Sequence, residues 1–257
     1  MKGSPDEYTL ELVIGSKPIG MFQITDEYLD DWIIGFLHLQ GWIERPEMLK
    51  NYSLWREGSF IQMTVELDGW KNHATKGAYT RDPALYAMLI GQGDRCEALN
   101  VRLRKDALNP VKMGRKWTLT EIQDSMKTFV RNMPRYEQTG GMHAAALVTA
   151  EGELLIREDI GRHNAIDKVI GHALKQGWSG ENLLLLATGR ITLAMMIKAA
   201  TYGIGIMASR SAATRQAVSL GIQLGIDTLG YVRGGRYILY TPATRIKIQE
   251  NETMSVF

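Results

Sequence analysis

The sequence predicts an α/β protein, with an α/β/α sandwich from about residue 115 onward and a smaller α+β portion before it. Two observations point there. In the second half, short continuous apolar runs alternate with helix-length segments, the pattern of a sheet covered on both faces. In the first half, apolar and polar residues alternate at period two, the pattern of strands with one buried face. The boundary divides the chain into 1–114 and 115–257, and 257 residues suffice for two modest domains.

Residues 8–14 place Leu10, Leu12 and Ile14 on one face of a strand. Gly15-Ser16-Lys17-Pro18 signals a turn, and a second short strand follows through Met21. Thr25 or Asp26 is the expected cap of a helix whose buried stripe is Leu29, Trp32, Ile33, Phe36 and Leu37, stopped by Gly41. The clearest strand of this half is 59–67, with Ile61, Met63, Val65 and Leu67 facing one way. Asp82-Pro83 opens a short helix through Ile90. From Gly91 to Gly114 glycines and charges dominate, which reads as a mobile loop bearing Cys96.

Thr118 and Glu121 have capping-box spacing, ahead of a helix that buries Ile122, Met126, Phe129, Val130 and Met133. Strands follow at 143–148 and 154–158, a helix at 162–176, a strand at 183–187, a helix at 192–202, a strand at 204–208 and a helix at 213–224 stopped by Gly225. Strands at 228–232 and 237–240 complete the sheet.

Composition narrows the function classes. Hydrophobic residues make up 45% of the chain, enough for a sizeable core. With 30 basic against 28 acidic residues the net charge is +2, a balance that points away from general nucleic-acid or membrane-surface binding. The opening MKGSPDEYTL has no apolar signal core, and no stretch reaches the ~18 apolar residues of a membrane span. Cys96 is the single cysteine, so no internal disulfide is possible, and a free thiol suits a reducing cytoplasm.

Chemistry concentrates where glycine-bearing turns meet strand ends: Thr139-Gly140-Gly141, Asp159-Ile160-Gly161-Arg162, Thr188-Gly189-Arg190 and Arg233-Gly234-Gly235-Arg236. Open α/β sheets bind ligands at the carboxyl ends of their strands. The helices that begin near Arg162 and Ile191 offer N–H groups and a positive dipole end to an anion. Arg162, Arg190, Arg233 and Arg236 can add bidentate phosphate contacts, so a phosphate-bearing ligand such as a nucleotide is expected. The plainer readings are that each turn is only a turn, that Ser209, Ser211 and Thr214 cap the next helix, and that Met195-Met196 fills core.

Among the histidines, His143 opens a strand and fits a structural role as well as a functional one. His163, at a helix start beside Arg162, is held neutral or presented to a ligand. His172 falls on the exposed side of that helix, in solvent. A zinc-deaminase layout places a helix-borne His or Cys before a Pro-Cys-x-x-Cys pair. His163 stands near the first position, but Thr188-Gly189-Arg190 occupies the second, so no zinc is expected. Near Cys96, Arg95 favours the thiolate while Asp94 and Glu97 oppose it.

Five motifs carry a resemblance, in order, from residue 139 to the end. The stretch 139–147, TGGMHAAAL, resembles the TGGxHAAAL run of the FdhD family. The stretch 158–171, EDIGRHNAIDKVIG, resembles its EDxGRHNAxDKxIG signature. Thr188-Gly189-Arg190 is similar to its (S/T)GR turn. The segment 209–214 is similar to SxSAPT, with Ala213 where proline is usual. Gly230 and Tyr231-Val232-Arg233-Gly234-Gly235-Arg236 resemble its GFxRGxR turn. Residues 35–37 and 41–43 also look like the family's opening segment.

The resemblance implies a cytidine-deaminase-like α/β/α domain without zinc. It implies a cytoplasmic, homodimeric sulfur carrier that takes sulfur from a cysteine desulfurase and passes it to the molybdenum cofactor of formate dehydrogenase. That cofactor is the bis(molybdopterin guanine dinucleotide) form, held by Tyr231 to Arg236 and Thr188-Gly189-Arg190, with His163 and Arg162 lining the site. The family carries Cys-x-x-Cys, its first cysteine bearing the persulfide; here the partner position of Cys96 is Leu99. Two readings stay open: Cys96 as a persulfide carrier working alone, or a non-catalytic cofactor-binding chaperone that moves no sulfur.

Overall fold

The computed structural model describes residues 2–69 and 108–248. The expected helix from Asp82-Pro83, most of the glycine-rich loop, and Cys96 lie outside those residues.

Four strands form the first sheet: β1 (Tyr8–Ile14), β2 (Lys17–Ile24), β3 (Leu49–Glu57) and β4 (Phe60–Leu67), in the order β2-β1-β4-β3. β2 runs three residues past the expected end, because Tyr8 pairs with Ile24 across the hairpin. β3 has no counterpart in the sequence reading. Its burial pattern is intermediate and exposed throughout, so it carries no apolar alternation; its pairing with β4 holds it. The alternating residues of β1 and β4 do form the buried face, under helix α1 (Leu29–Leu39).

The expected cap of α1 is absent. The N-cap is Tyr28, in the left-handed conformation at φ 52°, with no side-chain capping bond. Thr25 and Asp26 are engaged elsewhere: Thr25 Oγ1 accepts from the Ile160 N–H, and Asp26 accepts from Arg56.

The second sheet has six strands: β6 (His143–Val148), β7 (Leu154–Asp159), β8 (Leu184–Ala187), β9 (Ile206–Ser209), β10 (Asp227–Arg233) and β11 (Arg236–Leu239). The order is β11-β10-β9-β8-β6-β7; β8, β9 and β10 are parallel, and a hairpin closes each edge. Period two sorts these apolar runs onto both faces. Ala145, Leu147, Leu185, Ala187 and Met207 enter one core with helices α4 (Arg162–Gln176), α5 (Leu193–Tyr202) and α6 (Arg215–Leu224). Ala144, Ala146, Leu184, Leu186 and Ala208 enter the other with α2 (Leu119–Arg131). Met195 and Met196 are fully buried in the first core, as expected. The Thr118–Glu121 capping box is formed in both directions.

Some small elements were not foreseen. A short helix, α3 (Pro134–Thr139), precedes β6. A two-residue strand β5 (Trp117–Thr118) pairs with β12 (Ile246–Lys247). The end of the expected mobile loop is in fact pinned. Buried Arg245 donates to the Val111 and Lys112 carbonyls at 2.7 and 3.1 Å, and Val111 N–H bonds the Leu224 carbonyl.

The two halves join at a helix crossing. α1 lies on α4 with Gly35 and Gly171 in contact: a Cβ on Gly35 would fall 1.9 Å from the Asp167 carbonyl, and one on Gly171 1.8 Å from the Asp31 carbonyl. Only glycine allows backbones this close.

A cationic ledge at the strand ends

The carboxyl ends of β7, β8, β9 and β10 and the start of β6 share one edge of the second sheet, and backbone and hydroxyl bonds stitch their loops together. Thr188 Oγ1 accepts the Ala144 N–H at 3.0 Å. Ser209 Oγ donates to the Gly189 carbonyl at 2.6 Å and accepts the Ser211 N–H at 3.0 Å. Tyr231 N–H bonds the Ser211 carbonyl. Of the three hydroxyls read as caps, only Thr214 is one, accepting the Ala217 N–H; Ser209 instead locks the Thr-Gly-Arg turn.

On this ledge the expected residues separate into two groups. The inner group is His143, Arg162, His163, Thr188, Gly189 and Arg190. A Cβ placed on Gly189 would stand 3.3 Å from both Arg162 Cδ and His143 Nδ1. Burial pushes the His163 pKa down to about 3, with Lys198, Arg162 and His143 adding repulsion. Its Nε2 is buried with no hydrogen-bond partner among the described residues, so the ring is a neutral imidazole. Burial, Arg162 and Arg190 lower the pKa of His143 as well.

The outer group is the β10–β11 hairpin. Gly234 and Gly235, at φ 58° and 75°, make its two-residue turn. Tyr231 is held at φ 51° within a register shift between Gly230 and Arg233, a backbone strain typical of functional positions.

Two clefts open here. One, of about 770 Å³, is lined by Met133, Tyr136, Gly140, Met142, His143 and Thr188. The other, of about 560 Å³, lies between α2 and the hairpin, against Val232, Arg233, Gly234 and Gly235. Arg210 lines both. Neither Tyr231 nor Arg236 lines either cleft. Sequence reasoning passed over Arg210, although it sits inside the SxSAPT-like segment. It also passed over Gln123, Lys127 and Arg131 of α2, whose i, i+4, i+8 spacing is a visible stripe on one helix face.

The EDxGRHNAxDKxIG-like segment proves to be mostly scaffold. The anion at the start of α4 is the chain's own, since Asp159 Oδ1 accepts the N-cap Gly161 N–H at 2.8 Å. Asp159 also pairs with fully buried Lys168 at 2.6 Å and accepts the Thr25 N–H. Asn164 bonds Trp32 Nε1 and the Gln23 carbonyl. Glu158 accepts the first-turn N–H groups of α3, at Arg135 and Tyr136. His172 is not solvated as expected. It lies 3.6 Å from buried Asp31 and 3.2 Å from Arg157, and burial lowers its pKa.

Fold and ledge together define a mixed α/β protein with a cation-rich edge suited to an anionic ligand. The chain matches the FdhD/NarQ family over residues 5–247 and belongs to it. It is 33% identical over 244 residues to the sulfur carrier protein FdhD of Listeria monocytogenes serotype 4b, covering 93% of this chain and 90% of that one. It is 31% identical over 242 residues to the sulfur carrier protein FdhD of Bacillus subtilis, covering 94% and 89%. Its fold is similar to a crystal structure described as a formate dehydrogenase accessory protein from Desulfotalea psychrophila, at TM-score 0.71 and 24% identity, over 94% of this chain and 89% of that one. Among the described residues no helix is long and apolar enough to cross a membrane.

Proposed function

We propose that this chain is an accessory sulfur carrier for formate dehydrogenase, receiving persulfide sulfur on Cys96 from a cysteine desulfurase and delivering it to the bis(molybdopterin guanine dinucleotide) molybdenum cofactor. The observation that carries this reading is the cationic ledge, where Arg210 and Arg233 line clefts suited to the cofactor's phosphates. Membership of the FdhD/NarQ family supports it. The cofactor is cargo here. The Thr188-Gly189-Arg190 turn and the Tyr231 to Arg236 hairpin hold its phosphates, and neutral His163 lines the inner part without adding charge. A deaminase-like α/β/α second half, a homodimer and a cytoplasmic setting belong to the same reading.

The chemistry is a thiolate attack. Cys96 thiolate takes the outer sulfur of the desulfurase persulfide, and the desulfurase thiolate leaves. Releasing that sulfur as sulfide takes two electrons. The chain has no second cysteine, so they come from outside its own thiols.

The single cysteine also favours a second reading, a chaperone that binds the cofactor and moves no sulfur. Intact mass after incubation with a cysteine desulfurase and free cysteine separates the two. The carrier gains one sulfur atom that reductant removes, and Cys96→Ala gains none. A wild-type mass that stays unchanged beside an active desulfurase overturns the carrier reading and leaves the chaperone.

A further inference from the structure

The α2 side of the outer cleft belongs to no motif of the chain. Gln123, Met126, Lys127, Val130 and Arg131 form it, facing Val232, Arg233, Gly234 and Gly235 of the hairpin, with Arg210 between the two walls. The walls touch where Gln123 Nε2 donates to the Gly235 carbonyl at 3.4 Å. Among the described residues, four cations line this cleft and no carboxylate does. Lys127 is engaged with exposed Asp124 at 2.8 Å, a solvent-screened pair that a phosphate displaces at little cost. Beneath the cations lie Met126 and Val232, both buried, and half-buried Val130. A charged rim over an apolar floor suits a ligand with an ionised end and a flat apolar part.

We propose that α2 is the second wall of a nucleoside diphosphate site, with Lys127, Arg131 and Arg210 joining Arg233 on the phosphates and Met126, Val130 and Val232 seating the base. This rests on the nucleotide-bearing ligand of the proposed function and adds a helix that the glycine-turn motifs do not include. A ligand gripped from one wall is held by the hairpin alone. A ligand gripped from both spans the gap, so each wall contributes separately to affinity.

The test is calorimetric titration of the full chain with GDP, and with pyrophosphate for comparison, at low and high salt. Lys127→Gln with Arg131→Gln changes two exposed side chains, and circular dichroism checks that the fold is kept. The expected result is at least a ten-fold loss of GDP affinity and a weaker salt dependence, since screened charges have been removed. Val130→Ser is expected to weaken GDP while leaving pyrophosphate unchanged. Arg233→Gln reports on the hairpin wall. If Arg233→Gln weakens GDP and the α2 double variant binds as wild type does, the second wall is overturned and the hairpin site stands. If wild type does not bind GDP, the nucleotide reading falls, and the second wall with it.

Discussion

Asp159 and Lys168 pair at 2.6 Å with no side-chain exposure, and each makes further bonds to the segment at Thr25. Removing one partner of such a pair strands a buried charge and costs about 3–5 kcal/mol. Lys168→Met and Asp159→Asn are each expected to lose stability on that scale in denaturant unfolding. The double variant should lose less than the sum, and a strictly additive result contradicts the pairing. His163 gives a pH signature. Its folded pKa of about 3 lies below the ordinary 6.5, so its contribution is fully present above 6.5 and is lost as pH falls toward 3. The slope reaches at most ~1.4 kcal/mol per pH unit. His163→Asn should therefore flatten the acid limb of the stability profile; an unchanged limb would place a charged ring in the native state.

At the scale of elements, α1 and α4 meet through glycine. A Cβ at Gly171 would fall 1.8 Å from a backbone carbonyl, so the helices must part to accept it. Gly171→Ala is expected to cost about 1–3 kcal/mol, the overpacking range. By contrast Gly177, at φ 67° with open space around it, matters only for ending α4. Elements with a strong internal signal were legible: the 162–176 helix, the Thr118 cap and the β1 alternation all stand as read. β3 was not, since its stability comes from partners in β4 rather than from its own pattern. The α1 cap failed for a related reason. Thr25 had a better partner 135 positions along the chain, at Ile160, and no local rule weighs that.

For the whole molecule, one segment serves two purposes. Residues 158–171 fasten the first sheet and α1 to the second sheet through Asp159, Asn164, Lys168 and Gly171, while Glu158 holds α3 and Arg162 packs beside Gly189 on the ledge. The dense motif thus marks a joint more than a reaction site. What residue order alone conveyed was the mixed α/β class, most strands and helices of the second half, and the glycine-bearing turns at the strand ends. Those follow from periodicity, caps and glycine, which act over a few residues. Which turns meet, that Arg210 joins two clefts, and that α2 faces the hairpin came only with folding. Such contacts depend on how the sheet orders strands far apart in sequence, and local periodicity carries no information about that order.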